Sequence, residues 1–220
     1  MKVLLFGATG MVGQGVLREC LLAADVSYVL SVGRSLTGAT HPKLGERIVS
    51  DMLDYSAVEA DLEGYDACFF CVGVSSAGLG ETAYRRITHD ITLAAAQVLV
   101  RLNPQMTFIY VSGAGTDSSE RGRSMWARVK GATENALMRM PFKAAYMFRP
   151  GLIQPLYGVR SKTALYRWAY VLASPFFALM HRWTPNGITT SEQVGRAMLV
   201  VARRGAPTPL LETADINELR

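Results

Sequence analysis

Short apolar runs alternate along the chain with longer stretches in which apolar residues recur every three or four positions. Val3–Phe6 is continuously apolar, the pattern of a strand covered on both faces. Residues 11–23 place Val12, Val16, Leu17 and Leu21 on one side and predict a helix. Further strands are predicted at Ser27–Val32, Arg47–Ser50 and Asp66–Val72. A long helix is predicted over 81–102, stopping before Pro104. Met106–Ser112 predicts a fifth strand, 124–140 a helix ended by Pro141, and Ala144–Phe148 a sixth strand. Beyond 150 the pattern changes. Residues 162–183 are apolar and aromatic, 190–204 read as one more helix, and 205–220 as a short strand plus a turn.

Strand–helix alternation of this kind implies βαβ units with right-handed crossovers. The predicted fold is α/β, a doubly wound parallel sheet of the Rossmann type. No linker, repeat or low-complexity tract divides the sequence. Residues 1–220 are therefore expected to form one domain, with 151–220 as a C-terminal extension on the substrate side.

Composition narrows the function classes. With 220 residues, half of them hydrophobic, the chain can bury a large core without staples. Cys20, Cys68 and Cys71 are too few for a disulfide framework. Cys68 and Cys71 have redox spacing, but in a strand they point to opposite faces and lie about 10 Å apart. No charge-free apolar run reaches the length of about 18 residues that a membrane-spanning helix needs. The N-terminal run is too short for a signal peptide, so the cytoplasm is the expected compartment. The net charge of +5 permits anionic ligands. The basic cluster Arg121, Arg123, Arg128 and Lys130 lacks the breadth of a nucleic-acid stripe, so no such partner is expected. His41, His89 and His181 are scattered, and no metal site is expected. Gly73-Val74-Ser75-Ser76-Ala77-Gly78 has the wrong spacing for a hydrolase nucleophile elbow.

The sharpest local feature is Gly7-Ala8-Thr9-Gly10-Met11-Val12-Gly13, directly after the first strand and opening the first helix. That is the setting of a dinucleotide fingerprint, here one residue wider than G-x-G-x-x-G. Gly7 allows the tight turn, Gly10 the approach of a pyrophosphate, and Gly13 close packing of helix on strand. The helix N-terminus favours the anion. The second strand ends Ser31-Val32-Gly33-Arg34-Ser35, with no acidic residue between Asp25 and Glu46. An NAD site would place a carboxylate there; Arg34 and Ser35 suit the 2′-phosphate of NADP(H) rather than NAD(H). Asp51-Met52 follows the third strand, where Asp51 accepts from adenine or merely closes a turn. Cys71, Val72 and Gly73 end the fourth strand at the same rim.

Together these residues resemble the short-chain dehydrogenase/reductase superfamily, and within it the atypical branch near the Tat-interacting oxidoreductase group. The resemblance also rests on Tyr110-Val111-Ser112-Gly113, Val129-Lys130-Gly131 with Glu134, and Phe148-Arg149-Pro150-Gly151. It implies that Val111 and Ser112 stand beside cofactor and substrate carbonyl. It implies that Lys130 holds the nicotinamide ribose. It also implies that Pro150, Gly151, Leu152 and Ile153 meet the carboxamide through their backbone. The family's catalytic tyrosine would fall four residues before Lys130, where this chain has Trp126. An indole N–H donates a hydrogen bond but does not release a proton near neutrality. Tyr110, Tyr157 or water are the candidates for a displaced acid. The expected function is an NADP(H)-dependent oxidoreductase acting on a small apolar carbonyl-type substrate. The alternative is a non-catalytic NADP(H)-binding regulator or redox sensor. Residues 162–183 are expected to roof the site, to mediate a dimer contact or to touch an anionic membrane surface. A homodimer could also form through helix 81–102.

Overall fold

The computed structural model describes residues 1–157 and 187–219. Seven strands form one sheet in the order β3-β2-β1-β4-β5-β6-β9, and every neighbouring pair is parallel. They are β1 (Lys2–Phe6), β2 (Tyr28–Gly33), β3 (Leu44–Ile48), β4 (Ala67–Phe70), β5 (Thr107–Val111), β6 (Ala144–Arg149) and β9 (Leu210–Glu212). The strand order reverses between β1 and β4, the switch point of a doubly wound sheet.

Period-two alternation sorts each strand onto two cores. Val3 and Leu5 of β1 face one side, where helix α1 (Met11–Leu22) and helix α5 (Ser191–Arg204) pack with Val16, Val194 and Met198. Leu4 and Phe6 face the other side, with Leu99 and Leu137. On that side Phe6 stacks on Phe70 at 5.2 Å, and Phe70 on Phe108 at 6.0 Å. The offset aromatic ladder ties β1, β4 and β5 into one slab and fixes where their ends lie. Cys68 and Cys71 fall on opposite faces, and all three cysteines are free.

Four features depart from the sequence expectation. The third strand is Leu44–Ile48, not Arg47–Ser50. It is an edge strand whose register is set by β2, pairing Val29 with Leu44, so its own apolar pattern is weak. The helix over 81–102 is divided into α2 (Glu81–Arg85), a π-helical turn (Arg86–Asp90) and α3 (Ile91–Leu102). The final turn is instead a short helix, α6 (Thr213–Glu218), begun by a reciprocal Glu212–Asp215 capping box. Finally β7 (Leu152–Gln154) and β8 (Ile188–Thr190) pair in a separate parallel ribbon. Helix α4 (Met125–Met138) matches its expectation.

Candidate functional site

The chain turns sharply at the end of β1. Gly7 has φ of +80°, the left-handed region, and an added Cβ would stand 2.7 Å from the backbone of Cys71. Only glycine fits both demands. The amide of Gly10 donates to the carbonyl of Gly7 at 2.9 Å. Gly10 then caps α1 without a side-chain bond, and the first turn holds no acidic residue. A Cβ on Gly13 would strike the Gly7 carbonyl, so the helix seats directly on the turn. The first-turn amides of Met11, Val12 and Gly13 have no intrahelical partner and point, with the positive helix end, along the axis.

A crevice of about 390 Å³ opens in front of this turn. Of the predicted residues, Gly7, Thr9, Gly10, Arg34, Ser35, Met52, Cys71, Val72 and Gly73 line it. Ala8, Ser31, Val32, Gly33 and Ile91 complete the wall. The β2 end already marked Ser31-Val32-Gly33, whereas Ile91 had no local signal. No carboxylate lines this crevice among the described residues. Arg34 and Ser35 are exposed at its mouth. Burial pushes the Cys71 thiol up to about 12, away from the thiolate form. Asp51 does not line the crevice. Its carboxylate accepts from the Leu53 amide at 3.0 Å, the turn-closing role.

The second group of predicted residues gathers at the end of β5. Ser112 is buried, and its hydroxyl donates to Glu134 Oε1 at 2.5 Å, with the Phe148 carbonyl 3.1 Å away. Glu134 is fully buried and also accepts from Arg149 Nε at 3.0 Å and Nη2 at 2.5 Å. Arg149 donates onward to Ser118 Oγ and to Glu212. The charge beside it holds the guanidinium above its ordinary range. The Ser112 hydroxyl is therefore committed to a buried carboxylate, unlike the substrate-facing role that the resemblance implies. In the sequence Glu134 and Arg149 stand only as parts of motifs. Their pairing carries no one-dimensional signal, because they meet from α4 and β6.

Lys130 projects from α4 onto the same strand end, where its ammonium donates to the Ser112 carbonyl. Burial pulls Lys130 down to about 8, against the opposing pull of Glu134. Trp126, one turn earlier on α4, is half-buried and lies against Gly115. The 150–153 segment is tied down elsewhere. The Gly151 amide donates to Thr213 Oγ1, and the Leu152 amide to Gly187. Ile153 pairs with Thr189 across the ribbon, and Pro150 accepts from Ala114. Neither candidate phenol stands at the crevice. Tyr110 is fully buried in the core beside Phe70, and burial pushes its hydroxyl far up. Tyr157 donates to Glu192, which raises its phenol, and its ring lies under Arg18 at 3.7 Å. Residues 162–183, with their lid, dimer and membrane expectations, lie outside the described residues.

No family model matches the chain. Over 150 residues it is 29% identical to the mitochondrial protein fmp52-2 of Aspergillus oryzae, a match covering 67% of this chain and 65% of that protein. Over 225 residues it is 27% identical to HTATIP2 of Rattus norvegicus, covering 99% of this chain and 88% of that one. Among solved structures, a short-chain dehydrogenase/reductase family oxidoreductase from Burkholderia thailandensis aligns with TM-score 0.66 at 16% identity. That alignment covers all of this chain and 94% of the other. The Bordetella bronchiseptica enzyme WbmF, solved with NAD+, aligns with TM-score 0.69 at 18% identity, covering 98% and 76%. The chain is thus similar to HTATIP2 and FMP52, and its fold is the Rossmann-like α/β fold of these solved neighbours. The motif resemblance and the doubly wound sheet both stand. The cytoplasmic expectation does not, because the FMP52 relatives are described as mitochondrial.

Proposed function

We propose that this chain binds NADP(H) across the β1–β4 switch point and reduces or oxidises a small apolar carbonyl-type substrate. The observation that carries the reading is the make-up of the crevice. A glycine turn and an open helix N-terminus stand at one end, and Arg34 with Ser35 at the other, with no carboxylate in the lining among the described residues. The residues fit the group. The amides of 11–13 suit a pyrophosphate, Gly7 and Gly73 leave room for the backbone to approach, and the Arg34 fork suits a 2′-phosphate. The dinucleotide, when bound, supplies or takes up hydride. WbmF was solved with NAD+, which supports a nicotinamide dinucleotide in this fold.

The protein's own contribution is positional. Helix α4 carries Lys130 to the end of β5, and the Glu134–Arg149 pair locks that end in place. A second reading, an NADP(H)-binding regulator without turnover, is favoured by Trp126 in the place of the tyrosine.

Calorimetry of NADPH and NADH with the wild type and Arg34→Ala tests the assignment. A charge-assisted bidentate contact contributes about 1.5–3 kcal/mol, roughly tenfold to a hundredfold in affinity. NADPH should bind more tightly by that factor, and Arg34→Ala should erase the gap. Equal binding of the two dinucleotides by the wild type would overturn the NADP(H) preference.

A further inference from the structure

We propose that Lys130 itself delivers the proton to the substrate oxygen, taking the place of the phenol that this chain lacks. The inference deepens the oxidoreductase reading and rests on it.

Among the described residues, the structure removes the other side-chain candidates one by one. Trp126 occupies the position one helical turn from Lys130, and its indole has no proton to release near neutrality. Tyr110 is sealed in the core on β5, paired with Phe70 of β4. Tyr157 sits against α1 and α5, held by Arg18 and Glu192. The Ser112 hydroxyl is turned inward to Glu134, with the Phe148 carbonyl beside it. Lys130 remains. Its ammonium rests on the carbonyl of Ser112, beside Gly113 and at the carboxyl end of a central parallel strand. Ligands of such sheets bind in that place. One of its three N–H groups is used by Ser112, which leaves two for ligand oxygens.

Among the described residues, three charged or titratable groups face its end of α4 and β5. Glu134 follows one turn later on α4, Arg149 reaches in from β6 to pair with Glu134, and Tyr110 lies on β5. Glu134 favours the ammonium and burial opposes it, and burial dominates. A group that ionises near working pH is the best matched to general acid–base work.

The step balances. The carbonyl carbon gains hydride from the reduced nicotinamide, which is thereby oxidised. The carbonyl π pair moves to oxygen, one N–H bond of Lys130 breaks, and the new O–H bond forms. Lys130 is left as a neutral amine and regains a proton from water. Lys130 must be charged to give the proton, so reduction should weaken as pH rises through about 8.

The test pairs two kinds of measurement on the full chain. In the first, 15N-labelled lysine side chains are titrated by NMR without cofactor, and the Lys130 signal is assigned by its absence in Lys130→Arg. A midpoint near 8 is expected; a midpoint near the ordinary lysine value overturns the proposal. In the second, wild type and Lys130→Arg are compared for NADPH binding by calorimetry and for NADPH-dependent reduction of an aldehyde and quinone panel. Arginine keeps the positive charge but does not give up its proton. The kcat should fall at least about a hundredfold, well beyond any change in NADPH affinity or KM. Equal kcat in the two proteins overturns the proposal, as does wild type that binds NADPH and turns over nothing. Wild type that binds neither dinucleotide overturns the oxidoreductase reading as well, and the calorimetry separates that failure from the others.

Discussion

Replacing Glu134 by alanine strips the Arg149 guanidinium of its buried partner. Glu134 is fully buried and Arg149 is 8% exposed. The carboxylate accepts three hydrogen bonds, one from Ser112 and two from Arg149. Removing one member of a buried pair costs about 3–5 kcal/mol, since the remaining charge stays out of water. Here Arg149 keeps Ser118 and the half-exposed Glu212, which favours the lower end, about 3–4 kcal/mol. For a chain of this size each kcal/mol moves Tm by about 2–4 °C. The variant should therefore melt roughly 6–16 °C below wild type. Urea unfolding of Glu134→Ala, Glu134→Gln and the double variant Glu134→Leu with Arg149→Met measures this directly. Glutamine keeps an acceptor and loses the charge, so it should fall between alanine and wild type. The double variant removes both charges and should regain at least half of the loss, because the pair's own desolvation is then relieved. A cost below about 1 kcal/mol for Glu134→Ala would refute the view that this pair locks the end of β5.

The same geometry predicts two further results. Gly7→Ala forces a side chain into a left-handed turn and against the Cys71 backbone. It should destabilise the chain by about 2 kcal/mol or more in urea unfolding and weaken NADPH binding at least tenfold. Trp126→Tyr places a phenol one turn from Lys130 and should raise carbonyl reduction at least tenfold across an aldehyde panel. No gain, with NADPH binding intact, would show that position 126 does not face the reacting atoms.

Much of this fold is written in local pattern. Val3–Phe6 is apolar at every position because its strand is central and covered on both faces. The glycine turn is legible because two of its positions, Gly7 and Gly13, have no room for a side chain. Elements shaped by their neighbours are hidden instead. Leu44–Ile48 contains Gly45, Glu46 and Arg47 and becomes a strand only through pairing with β2. The three-residue strands Leu152–Gln154 and Ile188–Thr190 meet across 33 intervening positions, beyond any periodicity. The π-helical turn at Arg86–Asp90 interrupts an otherwise regular helical pattern. At the site, residue type gives the roles but not the directions. A serine at the end of β5 reads as substrate-facing until Glu134 is seen behind it. An aspartate after β3 reads as an adenine contact until its carboxylate closes its own turn on Leu53.

The crevice at the β1–β4 switch point is the central claim, and thermal melting of the unmodified chain against NADPH concentration tests it most directly. A ligand bound to the folded state alone adds about 2.7 kcal/mol at a hundred times its Kd, which raises Tm by roughly 5–11 °C for a chain of this size. The account predicts a rise that grows with NADPH concentration and is smaller for NADH at equal concentration. A Tm unmoved by millimolar amounts of either dinucleotide would contradict it.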